Sequence, residues 1–298
     1  MLERWRLYGI GWAVLALLAA GGSGIHEAAA TVLQPAAPVA PYACPQFFPG
    51  GVAPSLVNPK LAPRTTLLCN DAYAVMASGI SHGPLWSAEH PTAASIAAAR
   101  RLRRDGEFAA DDRLPAADRA QLSDYRNSGY DRGHMSPSGD MPDPEAQGQS
   151  FLLSNMVPQR AELNRGIWEG VEEAVRDLAQ RQGELFLVTG PAFRGRSLKR
   201  IGGDGVLVPS STWKAVYDPR AGGTGVYVCK NNTRPTCKVL SVAALIRVVG
   251  IDPFPFLPDS LKQVAMVLPT PDPSPYEPRA RRRRGHKPQS WLDWLLQG

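Results

Sequence analysis

The chain has 298 residues, 44% of them hydrophobic, which suffices for a sizeable core in one large domain or two. Its net charge is +6 (33 basic residues, 27 acidic), but half of that excess lies in 269–298, where six basic residues stand against three acidic ones. Bulk charge is thus compatible with a nucleic-acid partner without arguing for one. There is no P-loop or HExxH, which excludes the simplest nucleotide-cradle and zinc-protease readings.

Residues 1–30 read as a secretory signal peptide. Arg4 and Arg6 form the charged start, Ile10–Ala20 is the apolar stretch, and Ala28–Ala30 offers a small-residue cleavage site. Eleven apolar residues are too few to span a bilayer comfortably. The expected location is therefore periplasmic or secreted, with no membrane contact in the mature form. Residues 31–43 are a Pro/Ala-rich lead-in, and 44–268 read as one continuous domain. Residues 269–298 are Pro-rich, then Arg-rich, and are expected to be disordered. The four cysteines allow three pairings, of which Cys44–Cys69 with Cys229–Cys237 is the simplest; an exported chain would keep both disulfides.

Within the domain, "TLLCNDAYAVMAS" from Thr66 is β-like, and "TAASIAAARRLRR" from Thr92 has helical composition. "YDRGHMSPSGDM" (Tyr130–Met141) is too polar and too rich in turn formers to be core, so it is either a solvated turn or a place where chemistry happens. The clearest helix follows Pro158 and runs from Gln159 to Gln182. Leu163, Ile167, Val171, Ala174 and Leu178 form its expected buried stripe. Asn164, Trp168 and Glu172 are spaced by four, each about 40° round the helix from the last, so they share a side next to that stripe. A carboxamide and a carboxylate on one helical side suit a hard cation that takes oxygen ligands and keeps most of its waters. "LFLVTGPAF", "GVLVPSSTWKAVYD" and "GVYVCK" are β-like, and "SVAALIRVVGID" is a late helix ending near Gly250. Strands mixed with a few helices, without regular alternation, indicate an α+β domain.

The order "DRGHM", "SNMVPQ", "LNRGIWEGVEE" resembles the DNA/RNA non-specific endonuclease family, the sugar-non-specific nucleases related to endonuclease G within the ββα-metal (His-Me finger) group. "PLWSAEH" and "RDGEFAADDRLP" upstream, and "VTGPAF", "VPSSTWKAVYD" and "GIDPFPFLP" downstream, extend the resemblance over roughly Cys44 to Leu261. The late helix "ALIRVVGID" lacks an acidic residue that the family often has.

The resemblance implies a ββα-metal fold with a mixed or antiparallel sheet, and hydrolysis of phosphodiester bonds in DNA and RNA without sequence preference. His134 would be the general base that activates water. Asn164 would be the direct ligand of Mg²⁺, with Mn²⁺ an alternative, and the metal would stabilise the phosphorane and the leaving 3′ oxygen. Glu172 would hold metal-bound waters, Asn155 would orient the site, and Arg104 and Arg132 would grip phosphate. Gly133 would let the backbone come close beneath the histidine, and Asp131 would fix the turn. The resemblance leaves a homodimer open. The competing reading is a non-catalytic nucleic-acid-binding or uptake protein on the same scaffold.

Overall fold

The β-branched and aromatic runs of the sequence do not alternate strictly between apolar and polar, and a computed structural model, which describes residues 43–272, shows why. The central strands are covered on both faces. Seven form one antiparallel sheet: β1 (Thr65–Cys69), β2 (Tyr73–Ser78), β3 (Gly83–Glu89), β6 (Phe186–Ala192), β7 (Ser211–Asp218), β8 (Gly223–Lys230) and β9 (Cys237–Leu240). Their spatial order is β9-β8-β7-β6-β3-β2-β1. A separate hairpin, β4 (Asp131–His134) with β5 (Met156–Gln159), lies outside that sheet.

Alternation of side chains across the pleat sorts the sheet into two unlike faces. Trp86 and Ala88 of β3, Val188 of β6 and Trp213 and Ala215 of β7 enter one apolar core together with Leu245 and Phe254. Leu245 belongs to α3 (Val242–Val249), which the Ser241 hydroxyl caps by accepting the Ala244 N–H and which Gly250 ends in the left-handed region at φ 69°. On the opposite face Leu187, Val216 and Tyr227 pack against the long helix α2 (Trp168–Gln182). The shorter α1 (Ala93–Ala99), with a Thr92/Ser95 capping box, packs on α2.

The same α2-side face carries a polar layer. Thr189 of β6 is the register partner of both Ser87 on β3 and Lys214 on β7. The fully buried Lys214 ammonium donates to Thr189 Oγ1 (2.8 Å) and to Glu89 Oε1 (3.2 Å). A buried ion pair gains little net stability against an apolar replacement, but removing one partner strands a charge.

The long helix departs from the expected one. Its first turn, Leu163–Ile167, is a π-turn, and Gly166 within it is non-helical (φ −109°, ψ −119°). A π-turn inserts one residue into the helical register. The fully buried stripe is Leu163, Trp168, Val171, Val175 and Ala179; of the set expected from unbroken periodicity, Leu163 and Val171 belong to it, Ile167 and Leu178 pack half-buried against the same core, and Ala174 is half-buried. Trp168, 1% exposed, is a core residue.

Cys44 is bonded to Cys69, and Cys229 to Cys237. Packing continues past residue 268. The Tyr227 hydroxyl donates to the Pro269 carbonyl (2.6 Å), and the Asp272 carbonyl occupies the space a side chain at Gly170 would need. The expected signal and lead-in up to residue 42, and the Arg-rich stretch from 273, lie outside the described residues. Among the described residues no helix is long and apolar enough to cross a membrane.

Candidate active site

The hairpin β4–β5 and the helix behind it form a ββα unit against the polar side of the sheet. β4 is the Asp131-Arg132-Gly133-His134 segment itself, paired with β5 in the register Asp131↔Gln159 to His134↔Met156. The polar quartet is thus a strand lining a cleft of about 1390 Å³, which Asp131, Arg132, His134, Asn164 and Glu172 share with Arg104 and Arg176. Glycine is needed at 133 because the Gln159 side chain lies where a Cβ would project. It therefore makes room for Gln159, rather than for the close backbone approach expected beneath the histidine.

His134 is 7% exposed. Its ring packs edge-on to Phe151 (centroids 5.2 Å apart) and tilts against Phe108 (5.8 Å). Its Nε2 is buried with no hydrogen-bond partner in the structure. Burial, then the Arg104 and Arg132 charges, lowers its pKa to about 3, so the imidazole is neutral and able to accept a proton. Arg132 lies over the Phe108 ring at 4.1 Å, and Arg104 over Phe151 at 5.1 Å. Two aromatic rings therefore brace both the histidine and the two guanidiniums. Neither Phe108 nor Phe151 was expected from the sequence. An isolated aromatic in a loop reads as ordinary core, and only its proximity in three dimensions gives it this role.

Asn155 does not reach the cleft. It is fully buried, and its amide is satisfied on both ends. Oδ1 accepts from the Ser87 hydroxyl (2.9 Å) and the Ser136 N–H (3.0 Å), while Nδ2 donates to the Ser136 and Ser150 carbonyls (2.8 and 2.9 Å). It ties the segment just after His134 to β3 of the sheet. Asn155 therefore lies in the interior and is not among the side chains that line the cleft.

Asp131 does more than fix a turn. Its carboxylate takes a two-pronged contact from Arg165 (2.8 and 2.6 Å) and accepts from Asn164 Nδ2 (3.1 Å). With its nitrogen engaged, the Asn164 amide has its carbonyl Oδ1 left for a cation. Among the described residues no three His, Cys, Asp or Glu side chains converge on one point, so an all-carboxylate cage is not built. One amide oxygen plus waters is the donor set that fits, and it suits Mg²⁺, which retains several waters.

Glu172 sits half-buried one turn before Arg176. Burial pushes its carboxyl up to about 7, against the pull of Arg176 and Lys214 and with a further rise from Asp140 and Glu169. Arg176 donates to Asp140 (2.9 Å) and Glu173 (2.8 and 3.0 Å) and lines the cleft. It too was missed, although its i+4 spacing from Glu172 is a signal the sequence carries. Beneath them burial raises Glu89, to about 8, despite the nearby Lys214. His90, by contrast, is structural: Nδ1 meets the Gln46 carbonyl (3.1 Å), Nε2 meets Glu184 (2.7 Å), and the ring stacks on Phe186.

The chain is similar to known nucleases. A family model described as DNA/RNA non-specific endonuclease matches residues 57–260. A nuclease of Nostoc sp. is 35% identical over 188 residues, covering 62% of this chain and 65% of the relative. The mitochondrial nuclease 1 of Schizosaccharomyces pombe is 33% identical over 165 residues, 51% of either chain. Nuclease C1 of Cunninghamella echinulata is 34% identical over 157 residues, 48% of this chain and 61% of the relative. The chain thus aligns to less than two thirds of the length of these relatives. One chain of the crystal structure of the EndoG/EndoGI complex superposes with a TM-score of 0.58 at 26% identity, over 62% of this chain and 84% of that one.

Proposed function

This chain belongs to the DNA/RNA non-specific endonuclease family, and on that premise we propose that it hydrolyses phosphodiester bonds of DNA and RNA without sequence preference. The observation that carries the reading is the His134 Nε2, buried, unpartnered and neutral between Arg104 and Arg132, in the cleft that also holds Asn164.

Arg104 and Arg132 bind the phosphate through forked donors and, being contacts to the backbone rather than to base edges, carry no sequence information. His134 takes the proton of the attacking water as it approaches phosphorus. Asp131 holds Asn164 by its amide nitrogen, so that Oδ1 can bind Mg²⁺, with Mn²⁺ an alternative. Glu172 orients water around that position. When bound, the cation supplies Lewis-acid charge at the phosphoryl oxygens and at the leaving 3′ oxygen. Arg176 adds positive charge on the same wall and keeps Asp140 and Glu173 paired.

Two disulfides in the structure support an exported, oxidising setting, periplasmic or secreted. The test is incubation of plasmid DNA and of RNA with the purified protein, in Mg²⁺ and in EDTA. Nicking and linearisation in Mg²⁺ alone is the expected result. Binding without cleavage in either buffer would leave a nucleic-acid-binding protein on a nuclease scaffold.

A further inference from the structure

The loop between β8 and β9 reaches the same cleft. Thr233, Arg234, Pro235 and Thr236 line it in succession. Three restraints fix this loop. Cys229 and Cys237 are direct register partners on the two strands and are disulfide-bonded. Asn231 donates from Nδ2 to the Pro158 and Pro209 carbonyls (2.9 and 2.8 Å). Its Oδ1 accepts the Arg160 N–H (2.7 Å). Pro158 is the register partner of Arg132, so the loop is pinned to the hairpin that carries the phosphate clamp.

The loop's charge is one-sided. Arg234 is exposed, its N–H bonds Asn232 Oδ1 (3.0 Å), and among the described residues its guanidinium makes no ion pair. A cation held over a cleft without an acidic partner is suited to a mobile anion, and the anion that recurs along a polynucleotide is its phosphodiester.

We propose that the disulfide-pinned loop Asn231–Thr236 is a second phosphate-contact wall of the cleft, with Arg234 binding a phosphodiester of the same polynucleotide at a distance from the bond being cut. The proposal rests on the cleft being a nucleic-acid site. Arg234 acts there on substrate binding and not on the chemical step.

The experiment measures binding of a labelled DNA duplex of about 20 base pairs by fluorescence anisotropy, in EDTA, across a salt series. The proteins compared are wild type, Arg234→Ala, Arg234→Lys, and Arg220→Ala as a control that removes an equal charge outside the cleft. One lost phosphate contact lowers the slope of log K against log salt by about 0.9. Arg234→Ala should show that loss and bind about 5- to 10-fold more weakly at low salt, while Arg234→Lys and Arg220→Ala keep the wild-type slope. An unchanged slope in Arg234→Ala, or an equal loss in Arg220→Ala, overturns the proposal. Because binding is read without metal, failure of the hydrolytic reading would show as wild-type binding without cleavage, a separate outcome from failure of the loop.

Discussion

His134 is built to be neutral. Its ordinary pKa of about 6.5 is cut to about 3 by burial and two flanking arginines, which keeps the base form available across the physiological range. The same burial has a thermodynamic signature. Below pH 6.5 the unfolded chain gains a proton on this residue while the folded one does not, so acidification penalises the fold until pH nears 3. At about 1.4 kcal/mol per unit, wild type should lose about 2 kcal/mol more than His134→Ala between pH 6.5 and 5. Urea unfolding of both proteins in EDTA checks this, and equal losses would contradict it. Glu172 titrates in the opposite sense, since its carboxyl is raised to about 7, and taking the difference between the two proteins removes its contribution. In catalysis the cation-side residues should separate by role. Asn164→Ala should lose activity and partly regain it at high Mg²⁺. Glu172→Ala, acting through water, should lose about 10- to 100-fold, as measured by initial rates at saturating Mg²⁺.

The ββα unit works because one buried amide holds it to the sheet. Asn155 satisfies four partners, two of them carbonyls with no other route to water. Asn155→Ala should therefore cost roughly 2–4 kcal/mol by denaturant titration and weaken turnover, because the strand end bearing His134 loses its anchor. The order of the elements could be read from the chain: the polar strand, the proline turn and the amphipathic helix follow one another at recognisable intervals. The position of the stripe could not. Periodicity assumes an unbroken helix, and the π-turn at Leu163–Ile167 shifts the register by a residue that no composition signal announces. The role of Asp131 was hidden for a related reason, since its partners Asn164 and Arg165 lie more than thirty residues away and meet it only after folding. Lys214 and Glu89 were likewise invisible. A charged residue in a strand reads as solvated, and its pairing across three strands is a property of the sheet.

Across the described residues, the two largest apolar cores lie on either side of one sheet, and the cleft opens between the hairpin and α2. Packing of Pro269 and Asp272 on the domain sets where the Arg-rich segment can be removed without disturbing it. Deleting residues 273–298 should leave the melting temperature intact and weaken nucleic-acid binding mostly at low salt, because the lost charge acts through counterion release. Loss of turnover at saturating substrate would place that segment in the site instead. Export predicts a mature chain beginning near Thr31 with both disulfides closed, which intact-mass analysis with and without reductant would read. His134 carries the proposed chemistry. The measurement is cleavage of the same DNA in Mg²⁺ by wild type and by His134→Ala, at matched folding by circular dichroism. Removal of a positioned proton acceptor should slow the reaction by about 10²- to 10⁴-fold with folding unchanged. A variant that cuts near the wild-type rate would make Asp131–His134 a strand without chemistry.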